Sequence, residues 1–254
     1  MKWLRYWHQG AEGFGTLRGD TIQPHAGTLF DAPQPSGATL ALAEVRLLAP
    51  CSPGKVLGLW NNFRAAAEKN GWATPAEPLY FMKSTGSLAA PGQAIQVPAS
   101  YDGRVVYEGE LAVVIGRTAR AVSLADAPAH ILGYTLANDV TAVELLQRDP
   151  SFAQWTRAKG FDTFCPLGPV IETDFNPAGA SLRTLVGGRE RQNYPFDDMV
   201  FSPAALVSRL SHDMTLYPGD VILCGTSLGA MPIKPGTTVE VVVDGIGSLI
   251  NTYG

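Results

Sequence analysis

The stretch Tyr107-Glu-Gly-Glu-Leu-Ala-Val-Val-Ile-Gly116 constrains this chain more than any other. Leu111 to Ile115 is an unbroken apolar run that ends at a glycine, as a buried strand does. Residues 104–116 as a whole are rich in β-branched side chains and read as a strand region. On a strand, side chains two apart share a face, so Glu108 and Glu110 aim together. Two adjacent carboxylates repel unless one is protonated or a cation bridges them. Taken alone, such a pair also reads as solvated glutamates on an edge strand. Asp139, after the short apolar strand Tyr134–Ala137, is the natural third ligand; a helix N-cap or an Asx turn is equally open to it. Three carboxylates are hard oxygen donors and suit Mg²⁺, Mn²⁺ or Ca²⁺ rather than zinc.

The rest of the chain reads as β-rich. The 27 glycines and 19 prolines imply many tight turns. Lys55–Trp60, 220–224 and 238–243 read as strands. Arg64–Lys69 reads as a short helix ended by Gly71, and Ser123 as the cap of a helix over 124–131 with Gly133 past its end. Asp31–Gly37 reads as a loop. The expected class is α+β with strands outweighing helices. Residues 1–48 are expected to form a small N-terminal β domain, and 49–254 a larger one.

Composition and motif absences narrow the function. Hydrophobic residues are 46% and charged residues 17%, enough for a sizeable core and unlike a disordered chain. A net charge of −4 and the lack of any basic run argue against a nucleic-acid binder. No stretch has signal-peptide or membrane-span length, and Cys51, Cys165 and Cys224 form no CxxC pair. The expectation is a cytoplasmic protein with buried free thiols and no membrane partner. There is no HxH, HExxH or strand-following GxGxxG. Gly225-Thr-Ser-Leu-Gly229 reads either as an anion cradle or as a plain loop between strands.

Several segments, in order, resemble the fumarylacetoacetate hydrolase family over roughly residues 45–254. They are Lys55-Val-Leu-Gly-Leu, Phe81-Met-Lys83, Tyr107–Gly116, Gly133–Thr141, Ala158–Phe164, Pro166-Leu-Gly-Pro169, Arg191-Gln192, Thr215–Ile222, Gly225-Thr226 and Gly245-Ile-Gly247 with Asn251. Each is short, but their joint order is specific. The resemblance implies a mixed β-sandwich or roll, a homodimer, and Mg²⁺ or Mn²⁺ held by Glu108, Glu110 and Asp139. It implies a small 2-oxo or dicarboxylic acid substrate. Lys159 matches the family's active-site lysine. Gln192 and Thr226 match positions lining the cleft, and Arg64 and Lys83 are further substrate-binding candidates.

Hydrolytic and decarboxylating members carry a lid of the form N-Y-x-x-H-x-x-E, whose histidine and glutamate activate water. Here it is Asn62-Phe-Arg-Ala-Ala-Ala-Glu-Lys69, with Ala66 and Lys69 at those positions and Glu68 one residue early. Val143 stands where an arginine is common. The leading expectation is metal-dependent C–C hydrolysis of a 2,4-dioxo acid such as an acylpyruvate, with Lys159 and Glu68 catalytic. The alternative is decarboxylation or isomerisation of an unsaturated oxo-diacid, which needs no activated water. A non-catalytic binding protein on the same fold is the third.

Overall fold

The computed structural model describes all 254 residues. In chain order its main strands are Lys2–His8 (β1), Ala11–Arg18 (β2), Thr21–Thr28 (β3), Asp31–Pro35 (β4), Val56–Trp60 (β5), Leu79–Lys83 (β6), Gly109–Ile115 (β7), Ile131–Asn138 (β8), Cys165–Glu172 (β9), Ser181–Val186 (β10), Arg189–Pro195 (β11), Val221–Leu223 (β12), Thr237–Val243 (β13) and Gly247–Tyr253 (β14). The α-helices are Arg64–Asn70 (α1), Trp155–Lys159 (α2) and Pro203–Asp213 (α3). The chain is thus a β-rich α+β fold.

Strand β7 is central because its composition leaves it no other place. Each residue from Leu111 to Ile115 is fully buried. β8 pairs with it on one side and β12 on the other, both antiparallel. Alternation along the strand divides its side chains between two cores. Leu111, Val113 and Ile115 join the largest apolar cluster; Ala112 and Val114 join one with Val56, Leu167 and Val221. Glu110 shares the face of Ala112 and Val114, so its carboxylate leaves the strand on a buried side.

The main sheet runs β4-β3-β2-β1-β9-β8-β7-β12-β5-β6. The N-terminal meander is therefore continuous with it, through Lys2↔Glu172 and Trp3↔Ile171 on β1 and β9. At the other end β6 is an edge strand. A second sheet runs β11-β10-β13-β14, and Val105–Val106 pairs with Thr141–Ala142 and Pro232–Ile233 in a third.

Local readings fail where long-range pairing decides. Residues 104–116 are two strands in different sheets, split at Tyr107 and Glu108. Asp31–Pro35 is a strand, recruited by pairing with β3. The expected helix over 124–131 shrinks to a 3₁₀ turn at Ala127–His130, and Ser123 closes a turn onto Asp126. Gly133 is no cap but lies within β8, where a Cβ would come within 2.5 Å of the Glu172 carbonyl oxygen. Helix α1 and its left-handed Gly71 cap form as read.

Candidate metal centre

The central strands bring Glu108, Glu110 and Asp139 together, with one ligand oxygen from each lying within 4.8 Å of the others. Glu108 precedes β7 and Asp139 follows β8, the strand paired with it. The Asp139 amide donates to the Glu108 carbonyl at 2.8 Å, and the Glu108 amide to Asn138 Oδ1 at 3.0 Å. These two bonds lock the strand ends, so the acidic side chains converge. Asp139 neither caps a helix nor makes an Asx turn, since its carboxylate points to two lysines.

Lys159, the last residue of α2, donates to Glu108 Oε2 at 2.7 Å and Asp139 Oδ2 at 2.5 Å. Lys83 Nζ donates to Asp139 Oδ1 at 2.5 Å and to the Lys159 carbonyl at 2.6 Å. Lys83 is thus a buried counter-charge and brace, not a side chain open to substrate. Thr141 Oγ1 donates to Glu108 Oε1 at 3.3 Å.

Glu110 is the exception among the carboxylates. It is 1% exposed, touches neither lysine, and accepts one hydrogen bond, from the Gly225 amide at 2.7 Å. Burial, then the charges of Asp139 and Glu108, push its carboxyl well above the ordinary range. Burial also pushes Glu108 up, against the pull of Lys159. Asp139 is held low: burial favours its proton, but the ammonium groups of Lys159 and Lys83 outweigh it. Lys159 keeps its proton more tightly than a free lysine, because Asp139 and Glu108 overcome its desolvation. A buried acidic cluster with one under-compensated carboxylate is suited to a hard divalent cation, so the donor set fits the expected group.

Gln192 and Thr226 frame the backbone between the two glutamates. Gln192 Oε1 accepts from the Gly109 amide at 3.0 Å, and its Nε2 donates to Thr226 Oγ1 at 2.9 Å. Thr226 Oγ1 in turn donates to the Gly109 carbonyl at 3.0 Å. Arg64 is exposed at the start of α1 and donates to the Met199 carbonyl. Glu68 is exposed on α1 and makes no hydrogen bond or ion pair through its carboxylate. Helix α1 is regular through Asn70, so no local irregularity turns Glu68 inward in this structure. Ala66 is buried in the main core. Sequence reasoning missed the supports Asn138, Thr141 and Gly225; Asn138 and Thr141 flank Asp139 in the quoted segment, which was the available signal.

A strand-rich α+β fold with this buried acidic cluster and its two lysines defines a class of proteins able to hold a divalent cation. The model for fumarylacetoacetate (FAA) hydrolase C-terminal matches residues 55–253, and that for Rv2993c-like, N-terminal matches residues 1–50. The chain belongs to the fumarylacetoacetate hydrolase family. It is 44% identical to protein Rv2993c of Mycobacterium tuberculosis over 225 residues, covering 87% of this chain and 83% of the relative. It is 35% identical to the oxaloacetate tautomerase YisK of Bacillus subtilis over 228 residues, covering 84% and 75%. Among solved structures, a 5-carboxymethyl-2-hydroxymuconate delta-isomerase from Mycobacterium smegmatis superposes with a TM-score of 0.92 at 41% identity, covering 100% of this chain and 99% of that one. These relatives support the isomerase alternative better than C–C hydrolysis. No helix is long and apolar enough to cross a membrane.

Proposed function

We propose that this enzyme is a divalent-cation-dependent tautomerase or isomerase of a small 2-oxo dicarboxylic acid, with Mg²⁺ or Mn²⁺ held by Glu108, Glu110 and Asp139. One observation carries this reading. The acidic cluster and its lysine are complete, whereas the water-activating pair is missing: Ala66 packs in the core and Glu68 faces solvent. The named activities of the Bacillus and M. smegmatis relatives support it.

A bound cation would supply Lewis-acid stabilisation of the substrate's enolate oxygens. The chain's own residues supply the rest. Lys159 is a fixed ammonium, because Asp139 and Glu108 hold its proton in place. Two of its three N–H bonds go to those carboxylates, which leaves one for a substrate oxygen. A preorganised charge at the oxygen where negative charge develops lowers the barrier to enolisation. Tautomerisation moves a proton between carbon and oxygen and needs no attacking water, which matches the lid.

The test is ultraviolet decay of enol-oxaloacetate with Mg²⁺, Mn²⁺ or EDTA, run beside an acylpyruvate. Faster enol decay that EDTA abolishes, with the acylpyruvate intact, is the expected result. Pyruvate release from the acylpyruvate, with no effect on the enol, would sink the proposal. A homodimer belongs to the same reading, supported by exposed Leu79, Tyr80 and Met82 on edge strand β6. Light scattering that finds a monomer would remove that part. Three unpaired buried cysteines support a reducing, cytoplasmic setting.

A further inference from the structure

Helix α2 is only five residues long and has no side-chain cap at its N-terminus. Such a helix is marginal alone, yet its last residue carries the ammonium on which the site depends. Ala158 seats its middle in a buried apolar cluster, and an aromatic ring on β6 meets both of its ends. Trp155 and Lys159, the two ends of α2, lie four apart and share a helix face. Both meet Phe81 of β6. The Trp155 ring stacks on Phe81 with centroids 5.2 Å apart at 20°, and Lys159 Nζ lies over the Phe81 ring 4.9 Å from its centroid.

The ring is fixed from the strand side as well. Gly58 on β5 is the cross-strand partner of Phe81. A Cβ at Gly58 would come within 2.4 Å of the Phe81 ring, so the ring lies on bare backbone. Phe81 is buried, as is Lys83, which braces the Lys159 carbonyl from the same strand face. Trp60 and Trp72, centroids 5.0 Å apart, extend the aromatic array from Trp155 to the end of α1.

We propose that Phe81, seated on Gly58 and stacked by Trp155, is a positioning residue that sets where the Lys159 ammonium sits and thereby the rate of enolisation. It rests on the tautomerase reading for its kinetic consequence only. The ring's negative face attracts the ammonium in a dry site. Phe81 touches no reacting atom in this scheme; it acts through Lys159.

The test compares Phe81→Leu, Phe81→Tyr and Trp155→Leu in the full chain. The first readout needs no substrate: the ε-methylene signal of Lys159, assigned as the cross-peak missing from Lys159→Arg, lies upfield through the ring current of Phe81. Phe81→Leu moves it to the ordinary lysine position, Phe81→Tyr keeps it, and Trp155→Leu shifts it part of the way. The second readout is kinetic. Phe81→Leu lowers kcat roughly tenfold with KM within about twofold, and Phe81→Tyr restores it. If Phe81→Leu does not fold, half-buried Trp155→Leu carries both readouts. An ordinary wild-type shift, a Phe81→Leu enzyme with full kcat, or a Phe81→Tyr enzyme as slow as Phe81→Leu each overturns the assignment. Absence of any oxo-acid turnover would defeat the tautomerase reading, while the spectrum would still decide the position of Lys159.

Discussion

Glu110→Gln should make the cation-free protein more stable and the cation-loaded protein no more stable than that. Glu110 is buried, unpaired by either lysine, and within 4.8 Å of two other carboxylates across their ligand oxygens. At that separation, 4.8 Å, two unit charges repel by about 3 kcal/mol with an effective dielectric of ~20. Lys159 and proton uptake by Glu110 itself cancel part of this. A net relief of about 1–2 kcal/mol remains, or about 2–8 °C in melting temperature for a domain of this size. Gln keeps an oxygen to accept from the Gly225 amide, so that bond survives. The wild type should instead gain about 2.7 kcal/mol from Mg²⁺ at a hundredfold excess over Kd. Differential scanning fluorimetry with EDTA and with Mg²⁺ gives all four melting temperatures. An EDTA-treated Glu110→Gln protein that melts below wild type, yet still rises with Mg²⁺, would refute the argument that this carboxylate is strained without a cation.

The same electrostatics set a pH dependence. The folded carboxyl of Glu110 titrates well above its ordinary range. Its contribution to the stability of the cation-free fold is therefore full below the ordinary carboxylate range, and is lost as pH rises through the raised value. Asp139, held low, runs the other way: its contribution is lost as pH falls through its depressed value. Mg²⁺ affinity should rise with pH and binding should release protons, seen as buffer-dependent heats in calorimetry; pH-independent affinity would contradict this. Lys159→Met should lower kcat by roughly 10²-fold or more without a large change in KM, and a twofold loss would be inconsistent with its role. Glu68→Ala should leave kcat and KM within about twofold in steady-state assays, because its carboxylate has no partner. Ala66→His should destabilise the fold by about 1–3 kcal/mol through overpacking, read as a lower melting temperature, and create no hydrolysis, since Ala66 is 8% exposed in the main core.

The acidic cluster was legible because short-range rules govern it. An apolar run places β7 in the core, a two-residue spacing puts Glu108 and Glu110 on one side, and Asp139 ends the next strand. The resemblance then supplied Lys159, and the structure puts its ammonium on two of the three carboxylates. What escaped depends on contacts far apart in sequence. Lys83 reads as substrate-binding until β6 is seen to lay it against Asp139 and the end of α2. Asp31–Pro35 has loop composition, yet pairing with β3 makes it a strand. The 124–131 segment has helical composition, yet pairing of β8 between β7 and β9 claims it from Ile131 onward. Nothing local to Phe81 signals that a glycine on β5 and a tryptophan on α2 will enclose its ring.

The most direct test of the central claim is a product inventory by ¹H NMR in D₂O, with enol-oxaloacetate, enzyme and Mg²⁺ against an enzyme-free control. The expected result is faster loss of the enol, deuterium entering at C3, an intact four-carbon skeleton, and reversal by EDTA. Two- or three-carbon fragments forming faster than in the control, without faster tautomer exchange, would contradict it.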